Sequence, residues 1–349
     1  MASSVVGIDI GSSTVRAVEV VGPAKAKPTL ARYFEVPLPD GAVSRGEVLQ
    51  PKTVAKALTQ LWSQGGFTSK DVVLGMGNQR VLARDLTVQK MSLKHIRESL
   101  PFVVQEMLPL PVADALLDFY PVSEAMGENG PVVKGLLIAA VKDAVLANVK
   151  AMDLAGLNTV DVDLVPFALT RALISRAGVS GLVALIDIGA NTTSVVITQN
   201  GVPQFVRIIP TGGADVTAAL RGGLETSSAA AEGIKRTLGL AAQVASLEEK
   251  QAVEIIYQVT SEQLTSLRNT LNYFANTRPG EPIKQIVLSG GGAQLRGLPT
   301  ALSEMTQLQV TPGDPSFSVT LAKSIDATHF RAHVPTYSVA LGLALGRTA

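Results

Sequence analysis

Twice in this chain an apolar strand runs into Asp-Ile-Gly and small polar residues, and then into a second, β-rich stretch. The first copy is Asp9-Ile-Gly-Ser-Ser-Thr-Val-Arg-Ala-Val-Glu-Val20 and the second is Asp187-Ile-Gly-Ala-Asn-Thr-Thr-Ser-Val-Val-Ile-Thr198. Each reads as a strand, turn, strand unit, and two copies half a chain apart call for two related halves. A hairpin tip made of Gly with Ser or Thr presents backbone N–H groups and hydroxyls with no bulky side chain in the way, so it can cradle a phosphate. Two such tips facing each other would clamp a polyphosphate. The strands end in aspartates, Asp9 and Asp187. Carboxylates beside a triphosphate suit Mg2+, which prefers oxygen ligands and keeps several waters. Arg16, on the second strand of the first hairpin, can reach a phosphate as a fixed cation. One such turn alone is an ordinary hairpin; the duplication is what carries the inference.

Composition narrows the setting. With 349 residues, 46% of them hydrophobic, the chain can bury two cores, and no apolar run approaches the roughly 18 to 20 residues of a membrane span. A start of Met1-Ala2-Ser3-Ser4 followed directly by the strand at Val5 has no basic, apolar leader, which predicts a cytoplasmic protein without direct membrane insertion. The 30 Lys and Arg balance the 29 Asp and Glu and are dispersed, so no nucleic-acid partner is expected. No cysteine is present to ligate a metal, and His329 and His333, spaced i, i+4, read as ordinary polar residues.

Along the chain, strands are expected at Val5–Asp9, Val15–Val21 and Ala31–Val36, a helix from Pro51 to Gln64 and a strand from Asp71 to Gly75. Val81–Val88, Ala115–Val122 and Val132–Val141 read as strands around a helical pattern from Leu93 to Leu108, with a loop at Glu124–Pro131. Pro101 either kinks that helix or begins it, and a start there is preferred. A helix from Lys142 to Ala155, a strand Thr159–Val165 and a helix Pro166–Ala177 lead to the apolar strand Leu182–Ile188. Helices near Asp215–Leu220, Ser227–Leu238 and Leu247–Asn276, a strand Gln285–Ser289, a short helix after Gly297 and a last apolar helix Ser338–Leu345 complete the pattern.

Three further elements carry chemistry. Ser289 is followed by Gly290, Gly291 and Gly292, between strand and helix, where a flat ring or a phosphate can approach the backbone. Glu232, Lys235 and Arg236 share one helix face by their i, i+3 and i+4 spacing. Gly212-Gly213 with Asp215 reads as a helix entry. Taken singly, each is also an ordinary turn or solvated face.

In this order the Asp9 and Asp187 hairpins, Gly212-Gly213-x-Asp215, Ala231-Glu232-x-x-Lys235 and the glycine run resemble the actin, heat-shock chaperone and sugar-kinase superfamily. The resemblance implies an α/β, two-lobed actin-like (ribonuclease H-like) fold with ATP or ADP and Mg2+ between the lobes. Matched by position, Asp9 and Asp187 would orient the metal. Gly11, Ser12, Ser13, Thr14 and Arg16 would face phosphate together with Gly189, Asn191 and Thr192. Gly212, Gly213, Glu232, Lys235, Gly290, Gly291 and Gly292 would hold adenosine. Strand Thr159–Val165 and the last helix resemble the segments that connect the lobes.

The stretch from Lys70 to Val141 resembles the small α/β subdomain inserted in FtsA and PilM, and Val81–Val88, Met91-Ser92, Leu108-Pro-Leu-Pro111 and Asp118-Phe-Tyr120 are similar to the PilM family. The implied organisation is a first lobe over 1–80 with the helix of 336–349, an insert over 81–141, a connecting and first-lobe segment over 142–178, and a second lobe over 179–335 with a nucleotide-contacting helical subdomain. The resemblance implies a type IV pilus scaffold of the inner-membrane assembly platform. It would bind the cytoplasmic N-terminal peptide of a PilN-like inner-membrane protein between first lobe and insert, and meet other platform proteins. Ending at Arg347-Thr348-Ala349, the chain departs from FtsA in lacking a terminal amphipathic helix, so a partner is expected to supply the membrane link. Two alternatives stay open: a small-molecule kinase using Asp161 or Asp163 as base, and an FtsA-like division protein. No residue is singled out for positioning an attacking water, so slow or absent ATPase activity is expected.

Overall fold

Val5, Val6 and Ile8 of β1 (Ser4–Ile10), and every residue from Leu182 to Ile186 in its counterpart strand, are buried. Near-continuous apolar runs of this kind belong to strands covered on both faces. The computed structural model describes residues 3–241, 243–278, 280 and 282–346, so Met1-Ala2 and Arg347-Thr348-Ala349 lie outside the described residues, as does the end of the 336–349 segment.

Strand β1 pairs antiparallel with β2 (Thr14–Val21), and β2 with β3 (Thr29–Pro37). A two-rung ribbon, β4 (Val43–Ser44) with β5 (Glu47–Val48), leads into helix α1 (Pro51–Gly65), and β6 (Asp71–Met76) returns parallel to β1. Helix α1 forms as its sequence dictates, with Pro51 in the first turn, Val54, Ala57, Leu58 and Leu61 buried along one stripe, and a left-handed Gly66 as cap.

Next come β7 (Val81–Gln89), α2 (Leu93–Val103), β8 (Ala115–Gly127) and β9 (Gly130–Val141), which form a separate sheet in the order β7-β9-β8 with its own core under α2. Helix α3 (Lys142–Leu154) and β10 (Asn158–Leu164) return to the first sheet, and α4 (Val165–Thr170) continues as a π-helical turn over Arg171–Ser175. The second half comprises β11 (Leu182–Ile188), β12 (Thr193–Gln199), β13 (Val202–Ile209), α5 (Gly213–Gly223), α6 (Ser228–Leu238), α7 (Leu247–Thr277), β14 (Gln285–Ser289), α8 (Leu298–Thr306) and β15 (Gln309–Pro312). β16 (Thr320–Leu321) then pairs with β3, and α9 (Ala327–Ala344) follows.

The duplication seen in the hairpins extends to whole sheets. β3-β2-β1-β6-β10 and β13-β12-β11-β14-β15 have one strand order and one set of directions, antiparallel on the hairpin side and parallel on the other. Helix α9 runs along the seam between the halves, against β1 and α4. A Cβ at Gly342 would stand 2.0 Å from the Ala168 carbonyl oxygen in α4, and one at Gly7 would stand 2.0 Å from the Ala340 carbonyl oxygen. Arg171 fastens the crossing, donating from Nη1 to the Gly342 carbonyl at 2.6 Å and from Nη2 to Asp163 Oδ2 at 2.9 Å. Among the described residues no helix is long and apolar enough to cross a membrane.

Several expected elements are corrected. Helix α2 begins at Leu93, not Pro101: Ser92 Oγ accepts the His95 N–H, and Ile96, Leu100 and Val104 are buried on one stripe. Pro101 falls in the last turn. The Glu124–Pro131 loop shrinks to the two-residue turn Glu128-Asn129, because β8 and β9 pair as far as Gly127 and Gly130 and Gly130 takes the positive φ of +112° that closes the hairpin. The last helix starts at Ala327, capped by Asp326, and carries Pro335 in its interior. Strand β13, absent from the expectation, forms the outer edge of the second sheet.

A buried carboxylate braces the first sheet. Glu19 on β2 is fully buried and accepts from Ser4 Oγ and Thr68 Oγ1, each at 2.6 Å, from Arg32 at 3.0 Å, and from the Thr68 and Ser69 N–H groups at 3.3 Å. Burial alone would push its pKa up, but the bonds from Ser4 and Thr68, with Arg32, hold it below the usual 4.5. A depressed carboxyl contributes stability that is complete above its ordinary pKa and lost as pH falls through the folded value. Glu19→Gln is expected to cost about 2 kcal/mol at neutral pH, with the gap to wild type narrowing below pH 4.5. Urea melts at pH 7 and pH 4 test this, and equal midpoints at pH 7 would contradict it.

Candidate functional site

The two tips close with one hydrogen bond each, Gly11 N–H to Thr14 O and Gly189 N–H to Thr192 O, both at 2.9 Å. They also meet. Asn191 Nδ2 donates to Ser12 Oγ at 2.6 Å, joining the halves across the cleft. Ser12, Thr14, Asn191 and Thr192 are half-buried and Ser13 is exposed.

Behind the tips lie the two aspartates. Burial pushes Asp9 up, with Arg16 opposing. Burial likewise pushes Asp187 up to about 6; the Ser289 hydroxyl and Arg16 oppose that, and the charge of Asp9 adds to it. The two carboxylates are therefore close enough to repel. Arg16, opposite Asp9 in the β1–β2 register, stands 3.8 Å from Asp9 Oδ2 and donates Nε to Glu35 Oε2 at 2.8 Å, so carboxylates engage it on two sides.

On the second-lobe side, the Gly213 and Ala214 N–H groups donate to the carbonyls of Gly189 and Ala190 at 2.9 and 2.7 Å, setting α5 directly against the second tip. Asp215 Oδ2 accepts the Gly212 N–H at 2.8 Å, so it caps this helix. Lys235 Nζ donates to the Gly213 carbonyl at 3.0 Å and to Thr217 Oγ1 at 2.9 Å, and pairs with Glu232 at 2.6 Å. Against the upward push of burial, hydrogen bonds from Lys235, Thr217 and Arg236 hold Glu232 down at about 2. The glycine run closes onto the end of β11. Gly290 has φ +92°, and a Cβ there would stand 2.3 Å from the Ile188 carbonyl oxygen, whereas a side chain at Gly291 would meet nothing within 4 Å. A Cβ at Gly213 would meet Gly292 Cα at 3.4 Å and Lys235 Nζ at 3.7 Å, so α5, α6 and the glycine run converge.

The fold thus gathers both tips, both aspartates and the Gly212, Glu232 and Gly290 elements. Sequence reasoning missed Thr217, which locks Glu232 to Lys235, and Ser289, which lies beside Asp187 across β11–β14. The first could have been found from its place one helical turn after Gly213.

This arrangement fits a Mg-nucleotide. Two carboxylates with raised pKa values gain from a nearby cation, the tips offer N–H and hydroxyl donors, and the open space at Gly291 leaves backbone exposed for a ring. Among the described residues no group of three or more His, Cys, Asp or Glu is placed to hold a metal, which leaves the other positions of a Mg2+ shell to phosphate and water. His329 and His333 are engaged locally, by the Tyr33 hydroxyl at 2.7 Å and the His329 carbonyl at 2.8 Å.

The kinase-base candidates are committed elsewhere. Asp163 is ion-paired to Arg171 and accepts the Leu164 N–H at 2.7 Å, and Asp161 accepts the Val162 N–H at 2.8 Å. Asp163 borders a second cleft of about 420 Å3, whose walls include Asp118–Pro121 of β8, Phe167, Thr170 and Arg171 of the α4 segment, and Pro203 of β13. Tyr120 and Phe167 pack with centroids 4.6 Å apart and rings tilted by 38°, and Arg97 Nε donates to Asp118 Oδ1 at 2.5 Å. Among the described residues β8 pairs only with β9, so no strand covers its other edge, and four consecutive β8 residues border the cleft.

Comparison with known proteins accords with this geometry. The family model described as type IV pilus assembly protein PilM matches residues 7–348. Cell division protein FtsA of Bacillus subtilis (strain 168) is 30% identical over 210 residues, 53% of this chain and 46% of that protein. FtsA of Neisseria meningitidis serogroup B is 26% identical over 257 residues, 66% of this chain and 60% of the relative. The chain thus spans roughly half the length of these curated relatives. Among solved structures, a PilM-PilN type IV pilus biogenesis complex superposes with TM-score 0.88 at 28% identity, covering 100% of both chains. The ethanolamine utilization protein EutJ of Carboxydothermus hydrogenoformans follows at 0.57, with 16% identity over 99% of this chain and 90% of that one. MreB 5 of Spiroplasma citri bound to AMPPNP follows at 0.53, with 12% identity over 90% and 92%. The last two show the actin-like fold alone.

Proposed function

The chain belongs to the type IV pilus assembly protein PilM family, and from that premise we propose that it is an ATP-binding scaffold of the pilus inner-membrane platform. The observation that carries the nucleotide half is the Asn191–Ser12 bond, which brings the two phosphate-type tips together above Asp9 and Asp187. In this reading Gly11, Ser12, Ser13, Thr14, Gly189, Asn191 and Thr192 bind the phosphates, and Arg16 turns from its carboxylate partners toward them. Asp9 and Asp187 orient Mg2+ and its waters. Gly212, Gly213, Glu232, Lys235 and Gly290–Gly292 border the adenosine. The Mg2+ of bound Mg-ATP would supply the positive charge that offsets the aspartate pair, and the nucleotide would contact both lobes.

The scaffold half rests on the β8 cleft. An open strand edge beside apolar and ionic walls suits an extended peptide, with main-chain pairing for affinity and side-chain pockets for selection. The occupant we propose is the cytoplasmic N-terminal peptide of a PilN-like inner-membrane protein, since the structure superposing at 0.88 is a PilM-PilN complex. That partner would recruit the chain to the inner face of the cytoplasmic membrane. Because Pro203 of the second lobe also borders the cleft, ATP that holds the lobes closed would bias the peptide site, as a population shift and not as chemistry.

Titration calorimetry tests both halves. Mg-ATP is expected to bind, and no heat at millimolar nucleotide would end the first half. A synthetic peptide copying the N-terminus of the organism's own PilN-like protein is expected to bind wild type and to lose affinity at least tenfold on Leu93→Trp, which enlarges an exposed side chain on the cleft wall. Equal affinity for both proteins would end the second half.

A further inference from the structure

Behind the second tip lies a group of buried polar side chains with no part in the proposed nucleotide contacts. Thr193, first residue of β12, donates its hydroxyl to the Thr211 carbonyl at 2.8 Å and accepts from Gln263 Nε2 of α7 at 3.0 Å. Thr193 is fully buried and Gln263 nearly so. Thr193 directly follows the tip and Thr211 directly precedes Gly212-Gly213, so Gln263 ties α7 to both loops. The hydroxyls of Thr211 and Thr260 are buried with no hydrogen-bond partner. Buried polar groups are costly unless satisfied. The network therefore holds spare bonding capacity that a second arrangement of these loops can take up.

The far end of the same helix touches the inserted subdomain. Arg278, the C-cap of α7, donates Nη1 to the Gln204 carbonyl of β13 at 2.6 Å, lies over the Phe274 ring at 5.4 Å, and forms an ion pair with Asp85 of β7. Strands β7 and β13 are outer strands of their sheets and lie beside each other. From Gln263 to Arg278 the helix covers about 22 Å, with Leu264, Leu267, Leu271 and Phe274 packed on the second sheet, so this stretch moves with that sheet as one body. Nearer its start, Ala252 and Ile256 pack with α5 and α6.

We propose that α7 is a coupling rod, sensing the second tip through Gln263–Thr193–Thr211 and reporting to the inserted subdomain through Arg278–Asp85. This rests on the tips being the nucleotide clamp. Surface ion pairs add little to stability, so the Asp85–Arg278 contact is free to act on the balance between two arrangements without holding the fold together. The same linkage runs backwards: a ligand that fixes the inserted subdomain raises affinity at the tips by the same factor.

Hydrogen exchange on the full chain, with and without Mg-ATP, tests it. In wild type, nucleotide is expected to slow exchange at both tips and, by about fivefold or more, in residues 81–89 and 115–122. In Asp85→Ala and Arg278→Ala the tips stay protected while the response at 81–89 and 115–122 is lost. The double exchange Asp85→Arg with Arg278→Asp restores part of it, since the swap rebuilds the ion pair and removes the donor to the Gln204 carbonyl. Gln263→Leu, which keeps volume and removes the bond to Thr193, weakens the distant response with the Asp85–Arg278 pair intact. Nucleotide binding without any wild-type response in the insert, or an unchanged response in the two alanine variants, overturns the coupling and leaves the clamp standing. Absence of Mg-ATP binding to wild type by calorimetry overturns both.

Discussion

Asp187→Asn is expected to lower Mg2+-dependent ATP affinity by about a hundredfold, some 2.7 kcal/mol, while making the ligand-free protein more stable. The two effects share a cause. Asp187 is half-buried, and its loss of water, with Asp9 near enough to add to the effect, pushes its pKa up to about 6 from 3.8. A carboxyl whose folded pKa is raised contributes stability that is complete below its unfolded value and lost as pH rises through the folded one. Ligand-free wild type should therefore lose stability between pH 4 and pH 6 and stay lower at pH 8. The asparagine variant should not, and should be more stable at pH 8 by about 1 to 3 kcal/mol. Calorimetric titration with and without Mg2+, and melting curves at pH 5 and pH 8, check the pair. Unchanged affinity would remove Asp187 from the site. A stability difference independent of pH would remove the conflict between the carboxylates.

Gly342→Val is expected to destabilise the fold by about 3 kcal/mol or more and to abolish nucleotide binding with it. The new Cβ would begin 2.0 Å from the Ala168 carbonyl oxygen, a backbone atom that no rotamer change can move away. Helix α9 must then retreat from α4, and the Gly7–Ala340 approach and the Arg171 bond to the Gly342 carbonyl go with it. Gly222→Ala on α5, where nothing lies within 4 Å of a new Cβ, is the control and should melt no lower than wild type. Equal melting of Gly342→Val and wild type would show the seam to be slack.

What could be read from residues alone was what short segments decide. The hairpins, their aspartates and the glycine run were legible because a turn imposes its residue types within a few positions, and the strands Leu182–Ile188 and Gln285–Ser289 were bounded correctly by apolar runs. Proline misled at Pro101, where the Ser92 cap and the Ile96, Leu100 and Val104 stripe settle where the helix starts. The last helix was expected only from Ser338, whereas burial of Phe330 and Val334 carries it from Ala327 through Pro335. The Glu124–Pro131 segment looked like a loop because its polar residues sit on strands exposed on both faces, where no apolar alternation is required. At the site, Glu232 and Lys235 were visible as a helix face, but Thr217 became significant only when α5 was laid beside α6. The role of Gln263 was hidden for the same reason. Its partner lies seventy positions away, a number set by the fold and not by any local period.

The seam helix also dictates an order of events at the ribosome. Strands β1-β2-β3 pair with near neighbours in sequence and can form before the later elements are synthesised. α9, which fastens β1 against α4, is made after every strand of both sheets. A nascent chain without it can hold each tip as a folded turn, yet cannot keep Ser12 opposite Asn191. On the proposed reading, a copy whose α9 has not docked would hold nucleotide poorly, and the platform would pass it over.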